Sequence, residues 1–356
     1  MTKKVKTKNS TALAGQENFS HIVELIITAR NNTLRKINEE LVSLYWNIGK
    51  HLSRETKKHF WGDKYIDNAA NFLKQNHPDL RGFNKRGLER MRRFYETYND
   101  DPIASALLTQ LSWANHLLIM SAAKSPKERH FYIKKSIEEK WTYRELDRQL
   151  ESAYFQRAAL SENKALPANM PKDRANPFLD TYVLEFLNLP GGYTENDLQN
   201  ALVENMKNFL LEIGKDFSFL GKEIKIQVGN SDFFLDLLFF HRGLQCLVAF
   251  ELKRGKFTPE YISKMDFYLE ALDRDYKKPN ENPSVGIILC ATADEQVVEY
   301  AMSRTISPTL VSKYRLELPD KKLLKKRLCE ISNAMIKVKE GKSQKLNAKK
   351  IKAVTK

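Results

Sequence analysis

The sequence predicts a two-domain α+β protein, in which an all-helical N-terminal domain precedes a domain built on a mixed sheet flanked by helices. Residues 18–156 keep the apolar spacing of three and four positions that is typical of amphipathic helices. After a stretch rich in Ala, Asn and Pro at 157–177, short apolar runs that favour strands alternate with helical segments. The 356 residues are enough for two separate hydrophobic cores.

The elements follow in a regular order. Ile22, Leu25 and Ile26 begin the apolar stripe of one long helix. Further N-terminal helices are predicted around 64–76, 84–98, 112–122, 126–138 and 142–155. The second part predicts a helix at 195–213, strands at 223–228, 232–240 and 244–253, a helix at 259–273, a strand at 284–291, a helix at 294–303 and a last strand near 309–314. A three-stranded meander followed by alternating helices and strands predicts a mixed sheet with helices on its faces.

We therefore divide the chain into five parts. They are a basic disordered tail (1–17), a helical domain (18–156), a linker (157–177), a mixed-sheet domain (178–320) and a basic helical or disordered tail (321–356). The net charge of +15 lies in the tails, since residues 1–16 hold four lysines and no acid, and the last 36 residues hold thirteen basic and two acidic residues. Such tails suit contact with phosphate groups, or they keep the protein in solution.

Composition also limits the compartment. No apolar run approaches the ~18 residues of a membrane helix, which argues against a membrane protein. The cysteines Cys246, Cys290 and Cys329 lie far apart, and their odd number favours a reducing cytoplasm.

Charged residues interrupt the two most apolar strands. Gly243-Leu244 has the sequence of a two-residue hairpin loop, which pairs positions whose numbers sum to 487. Asp236 then lies directly opposite Glu251, and Lys253 projects from the same face of the sheet. We expect the two carboxylates to be adjacent.

Two adjacent carboxylates repel each other unless a cation lies between them. Oxygen ligands of this kind suit Mg²⁺ or Mn²⁺, and Lys253 beside the ion could serve an attacking water or developing negative charge. The spacing therefore supports metal-assisted hydrolysis of a phosphodiester. The alternative is structural, namely a buried ion pair between Glu251 and Lys253 with Asp236 nearby.

The order of Asp236, fourteen intervening residues and Glu251-Leu252-Lys253 on a hairpin resembles the core of the PD-(D/E)xK nuclease superfamily, although Leu235 stands where that name has proline. Over nearly the whole chain the sequence resembles the YhcG-like nucleases of bacteria. The segments that carry this resemblance are "GFNKRGLERMRRFYETY", "LSWANHLL", "WTYRELDRQL", "FLLEIGKDFSFLGKE", "DLLFFHRGLQCLVAFELKRGKFTPEYISKMDFYLEALD" and "NPSVGIILC". The resemblance implies a restriction-endonuclease-like sheet.

The resemblance also implies site residues. Asp236 and Glu251 would bind the metal with help from the Leu252 carbonyl, and Glu204 would add a third carboxylate from the preceding helix, with Glu212 as the substitute. Related nucleases have Gln-x-x-x-Tyr on the helix after the catalytic strand, and Lys264 and Tyr268 occupy these positions here. The lysine departs from the family pattern but can still contact phosphate.

Several basic residues are candidates for nucleic-acid contact. The segment 84–98 predicts a basic helix whose candidates are Lys85, Arg86, Arg90, Arg92 and Arg93, and whose domain could be a helix-turn-helix or winged-helix reader. Arg242, at the tip of the hairpin, could touch a phosphate backbone. The alternatives are a solvated amphipathic helix and a simple turn.

Together these features predict a cytoplasmic, Mg²⁺- or Mn²⁺-dependent nuclease with catalytic residues Asp236, Glu251 and Lys253. DNA, rather than RNA, is the expected substrate, in repair, recombination or defence against foreign DNA. The alternative is a catalytically inactive protein on a nuclease fold that binds nucleic acid or forms complexes. The sequence leaves a homodimer or a larger complex open.

Overall fold

The computed structural model describes residues 10–58, 62–101, 106–161, 177–303, 305, 308–328 and 330. The chain divides into two compact units, residues 1–146 and 147–356. Helices account for the N-terminal part, and a six-stranded sheet with flanking helices accounts for the C-terminal part, as the sequence predicts. None of the helices in the described ranges is long and apolar enough to cross a membrane.

The N-terminal part consists of helices. They are α1 (Ser10–Lys58), α2 (Gly62–Asn76), α3 (Lys85–Tyr98), α4 (Trp113–Ala122), α5 (Pro126–Glu138) and the start of α6 (Tyr143–Glu151). The end of α6 and the next helix, α7 (Tyr154–Ser161), fall in the second unit. The core of the N-terminal part includes Leu52, Leu88 and Met91, where α1 crosses α3. Gly49 permits this crossing, because a Cβ atom there would lie 2.1 Å from the Met91 carbonyl oxygen. No strand occurs among the described residues before 177, so they contain no wing of a winged-helix domain, and a helix-turn-helix remains a prediction.

The ends of the N-terminal region differ from expectation. α1 begins at Ser10, so residues 10–17 are helical and not part of a disordered tail. The predicted helix 142–155 is two helices, because Ala153 has a φ of 53°. α7 then continues through Ser161 into the predicted linker, since Arg157 is buried against Glu212. The rest of the predicted linker, up to residue 176, lies outside the described residues.

The sheet has the strand order β1-β6-β5-β4-β3-β2. Its strands are β1 (Thr181–Val183), β2 (Phe217–Val228), β3 (Ser231–His241), β4 (Cys246–Lys256), β5 (Asn282–Thr292) and β6 (Thr309–Arg315). β2, β3 and β4 form the antiparallel meander, whereas β4, β5, β6 and β1 pair in parallel. The sheet is therefore mixed, as predicted.

Helices cover both faces of this sheet. They are α8 (Glu195–Glu204), α9 (Met206–Ile213), α10 (Glu260–Ala271) and α11 (Glu295–Met302). α8 and α9 pack on the face that includes Phe239, Val248 and Phe250. α10 and α11 pack on the other face, which includes Leu238 and Ala249. The alternation of neighbouring positions between two cores explains why both strands of the hairpin are apolar almost throughout.

Three boundaries in the second unit also differ. The predicted helix 195–213 is interrupted at Asn205, whose φ and ψ of −101° and 28° lie outside the helical region. β2 begins at Phe217, six residues before the predicted start, and has an irregularity between Phe219 and Gly221. β1 was not predicted, because three residues are too few for a periodic signal.

The hairpin register is the one predicted, although its turn is not. The residue numbers of all five β3–β4 pairs, from Leu237–Phe250 to His241–Cys246, sum to 487. The turn, however, spans four residues, 242–245, and its left-handed residue is Gln245 with a φ of 51° rather than Gly243. Hydrogen bonds other than those of a two-residue loop thus fix the same register.

Candidate active site

β3 and β4 part at the position of the predicted carboxylates. Their pairing ends at Leu237–Phe250, whereas β4 continues along β5 with Glu251 opposite Ile288 and Lys253 opposite Cys290. β3 meanwhile stays paired with β2. The two strands therefore separate beyond Leu237 and Phe250, and the charged side chains lie where they separate.

Asp236 bridges this divergence with its side chain. The backbone N–H of Leu252 donates to Asp236 Oδ2 at 2.6 Å, in place of a bond to the β3 backbone. Burial, and after it the charge of Glu251, raises the pKa of Asp236 to about 6, although the Leu252 bond and the neighbouring lysines act in the opposite direction. The two predicted carboxylates are thus close enough to repel each other.

Glu251 is fully buried at the same point. Its Oε1 accepts from Lys253 at 3.0 Å and from Lys264 at 2.5 Å. Its Oε2 is buried without a hydrogen-bond partner. A buried carboxylate oxygen in this state is costly unless another cation or donor reaches it.

Lys253 links Glu251 on β4 to Glu195 on α8. Its Nζ lies 3.0 Å from Glu195 Oε2 and 5.4 Å from the centre of the Tyr261 ring. Burial lowers the pKa of Lys253, but Glu251 and Glu195 outweigh burial, so the net shift is upward. Lys253 is therefore a held ammonium ion, which can orient a group or offset negative charge but is poorly suited to accept a proton.

Glu195 is a site residue that the sequence reasoning missed. Besides holding Lys253, its Oε1 accepts from the backbone N–H of Arg254 at 3.3 Å. Thr194 is the N-cap of α8 and forms a capping box with Asp197, so Glu195 is the first residue of the helix and lies in its first turn, beside the strands. The capping-box sequence "TEND" was the signal that could have pointed to this position.

The predicted third carboxylates lie elsewhere. Glu204 is the last residue of α8, about 13 Å along the helix from Glu195 at 1.5 Å per residue. Glu212 is buried in ion pairs with Arg148 and Arg157, so it serves the core of this unit and not the site. Across the residues that the structure covers, no three His, Cys, Asp or Glu side chains form a group that could hold a metal.

Lys264 and Tyr268 lie on α10, beside the carboxylates. Lys264 reaches Glu251 directly and lies 5.3 Å from the centre of the Tyr268 ring. The Tyr268 hydroxyl donates to the backbone carbonyl of Phe234 at 2.7 Å. Tyr268 is thus a buried residue that fastens β3 to α10, and Lys264 contacts a carboxylate where the sequence suggested phosphate.

The observed residues suit a divalent cation. Glu251 Oε2 is a buried acceptor without a donor, and burial together with the Glu251 charge disfavours the ionised form of Asp236, so a cation beside them would stabilise both carboxylates. Two carboxylates form a sufficient protein contribution for Mg²⁺, which keeps several waters and binds substrate phosphate oxygens. Asp236 and Glu251 are the side chains that would hold it. The Leu252 carbonyl remains a predicted ligand.

The other basic candidates lie apart from this site in the sequence. Arg86, Arg90 and Arg93 line a groove of about 860 Å³ in the N-terminal unit, together with residues of α4 and Tyr143. Lys85 instead pairs with Asp67 at 2.7 Å. Arg92 also lines the groove. In the second unit, exposed Arg242 donates its backbone N–H to the Asp216 carbonyl at the hairpin tip.

Two family descriptions match almost the whole chain. Residues 175–329 match the YhcG PDDEXK nuclease domain, and residues 21–157 match the DUF1016 N-terminal domain. The chain joins a DUF1016 N-terminal domain to a YhcG PDDEXK nuclease domain. It is 29% identical to a protein of Escherichia coli (strain K12) named "Putative nuclease YhcG", over 88% of this chain and 93% of that protein. The first match ends and the second begins within the predicted linker 157–177, and residues 158–174 lie in neither.

Solved structures show a weaker likeness to this YhcG-like chain. A repair endonuclease from Pyrococcus abyssi is 19% identical, with a TM-score of 0.25, over 37% of this chain and 50% of that chain. EndoMS in complex with double-stranded DNA is 18% identical, with a TM-score of 0.24, over 37% and 49%. Similarity at this level does not bear on the substrate.

Proposed function

We propose that this protein is a Mg²⁺-dependent deoxyribonuclease whose site consists of Asp236, Glu251 and Lys253. The observation that carries the proposal is the pairing of half-buried Asp236 with fully buried Glu251, one oxygen of which has no partner, at the point where β3 and β4 diverge. A divalent ion at such a site supplies positive charge to the scissile phosphate and activates water. Mn²⁺ is the expected substitute, because both ions favour oxygen ligands.

The chain's own residues have separate roles. Asp236 and Glu251 supply the negative charge that binds the ion. Lys253, kept protonated by Glu251 and Glu195, orients the attacking water or offsets the negative charge that develops on phosphate. Glu195 is a positioning residue, since its Oε2 lies 3.0 Å from the Lys253 ammonium nitrogen.

DNA is the substrate we propose for this site. The basic groove of the N-terminal unit and the lysine-rich C-terminus both suit a phosphate backbone. The free, buried thiols of Cys246 and Cys290 are compatible with the reducing cytoplasm that we propose as its compartment.

The proposal is tested by incubating the full chain with linear, single-stranded and branched DNA and with RNA, in Mg²⁺, Mn²⁺ or EDTA. We expect cleavage of at least one DNA form with either metal and none in EDTA. An Asp236→Asn preparation made in parallel controls for contaminating nucleases. A pure protein that binds DNA but cuts none of these substrates would favour the inactive, nucleic-acid-binding alternative.

Metal binding is expected to weaken as the pH falls through about 6. Asp236 has a pKa near this value without metal, and the ion binds only the ionised carboxylate. Below pH 6 each further unit should reduce the apparent Mn²⁺ affinity about tenfold, whereas above pH 7 the affinity should level off. Calorimetric titration from pH 5 to 8 measures this profile. A flat profile would mean that Asp236 is not a ligand.

Loss of basic residues is expected to weaken DNA binding in a salt-dependent way. Residues 331–356 hold eight lysines and one glutamate, and Arg90 and Arg93 line the N-terminal groove. Each phosphate contact removed should lower the slope of log K against log salt by about 0.9. Fluorescence anisotropy should show this for truncation after Glu330 and for Arg90→Ala/Arg93→Ala. Lys134→Ala/Lys127→Ala, on exposed positions of α5, is the matched control. An unchanged slope would assign the altered residues to solubility.

A further inference from the structure

α1 carries a row of exposed apolar side chains toward its N-terminal end. The later part of the helix joins the core of the N-terminal unit through Val42 and Leu52. The row consists of Val23, Ile27, Leu34, Ile37, Leu41 and Leu44, whose side chains are 37–65% exposed. So many aligned apolar residues on one helix exceed the scattered exposed hydrophobic residues of an ordinary surface. The row has no role in the nuclease site.

The spacing of this row is that of a coiled-coil seam. From position 23 to position 44 the row and Arg30 follow one another at intervals of four, three, four, three, four and three residues. This is a heptad pattern, in which only Arg30 is polar. A repeat of 3.5 residues keeps an apolar seam facing a second helix, whereas packing on a globular core follows the helical period of 3.6.

We propose that two copies of this chain associate through residues 23–44 of α1 as an antiparallel coiled coil. The six apolar residues expose roughly 600 Å² per copy, so complete coverage in a pair would bury about 1,200 Å², the lower end of the range for stable protein interfaces. Ile22 and Ile26, about half exposed beside the seam, add further apolar surface. The self-association goes beyond the proposed nuclease activity and does not depend on it.

Arg30 decides the orientation. In a parallel pair in register, Arg30 of one copy would face Arg30 of the other within the seam, and the like charges would repel. In an antiparallel pair, positions whose numbers sum to 71 face each other. Leu34 then faces Ile37 and Ile27 faces Leu44, while Arg30 faces Leu41 and lies next to Glu40 of the other copy. This register covers every apolar position from 27 to 44 and gives each arginine a carboxylate.

The association is tested with the full chain by light scattering coupled to size exclusion and by sedimentation velocity. Wild type is expected at twice the 41.4 kDa of one chain. Leu34→Glu/Ile37→Glu should be monomeric, because it buries four carboxylates at the centre of the pair. Thr28→Glu/Asn32→Glu adds the same charge to exposed positions on the opposite side of α1 and should remain dimeric. Circular dichroism checks that all three are folded.

Disulfide trapping tests the orientation. In a Cys329→Ser background, a mixture of Leu34→Cys and Ile37→Cys chains should form a disulfide between unlike chains. Ile37→Cys alone should cross-link far more slowly, because its own copy lies one layer away. The reverse preference would overturn the antiparallel arrangement.

Three results would overturn the proposed interface itself. They are a monomeric wild type at micromolar concentration, a dimer that survives Leu34→Glu/Ile37→Glu, and an assembly of more than two copies. If the wild type were monomeric, the apolar row of α1 would instead be covered by another protein or by the chain's own terminal segments. Nuclease activity measured on the same preparations keeps this result separate from the proposed function.

Discussion

Replacing Lys253 with alanine is expected to reduce DNA cleavage by about 10²–10³-fold while changing the melting temperature little. The loss follows from the held ammonium ion beside the carboxylates. The fold should tolerate the change, because Lys264 still neutralises Glu251 after Lys253 is removed. If Lys253 were purely structural, its removal would instead strand a buried charge and lower stability by several kcal/mol.

The measurement combines Mg²⁺-dependent cleavage and thermal unfolding on one Lys253→Ala preparation. Lys222→Ala is the matched control, since Lys222 also bonds to α8, at Asn200 Oδ1, but contacts neither carboxylate of the site. Lys253→Arg tests charge against shape, and partial activity is expected from it. A Lys253→Ala protein with a lowered melting temperature and the wild-type rate of DNA cleavage would contradict the proposed catalytic role of Lys253.

Replacing Asp236 with asparagine is expected to abolish metal-induced stabilisation and, without metal, to raise stability at neutral pH. Asp236 has a folded pKa of about 6, above its ordinary 3.8, so its ionised form disfavours folding above pH 6 and this penalty disappears as the pH falls below 3.8. Asparagine removes the charge but can still accept from Leu252. The gain without metal has an upper limit of about 3 kcal/mol.

Thermal unfolding with and without Mg²⁺ or Mn²⁺ measures both effects. An ion at 100 times its dissociation constant should stabilise the wild type by about 2.7 kcal/mol, and the variant should show none of this. Asp232→Asn is the control, because Asp232 lies on the same strand in a surface pair with Lys225. A variant that keeps the full metal-induced shift would exclude Asp236 as a ligand.

The sequence by itself determined the order of the elements and the register of the hairpin. Both strands are apolar on both faces, so the charged positions distinguish one pairing from another, because a slip by one residue would put Asp236 and Glu251 on opposite faces of the sheet. Asp236, Glu251 and Lys253 therefore came together as expected, even though the turn has four residues and its left-handed residue is Gln245. Register depends on the whole strand, and turn type on a few local bonds.

Only the tertiary structure decided which other side chains reach the carboxylates. Glu195 and Lys264 come from α8 and α10, which pack on different faces of the sheet, and their approach depends on the angle at which each helix crosses the strands. Glu204 satisfied the sequence pattern but lies at the far end of α8. Periodicity shows which side of a helix is buried and the capping box at Thr194 shows where α8 begins, whereas docking decides which end of the helix meets the strands.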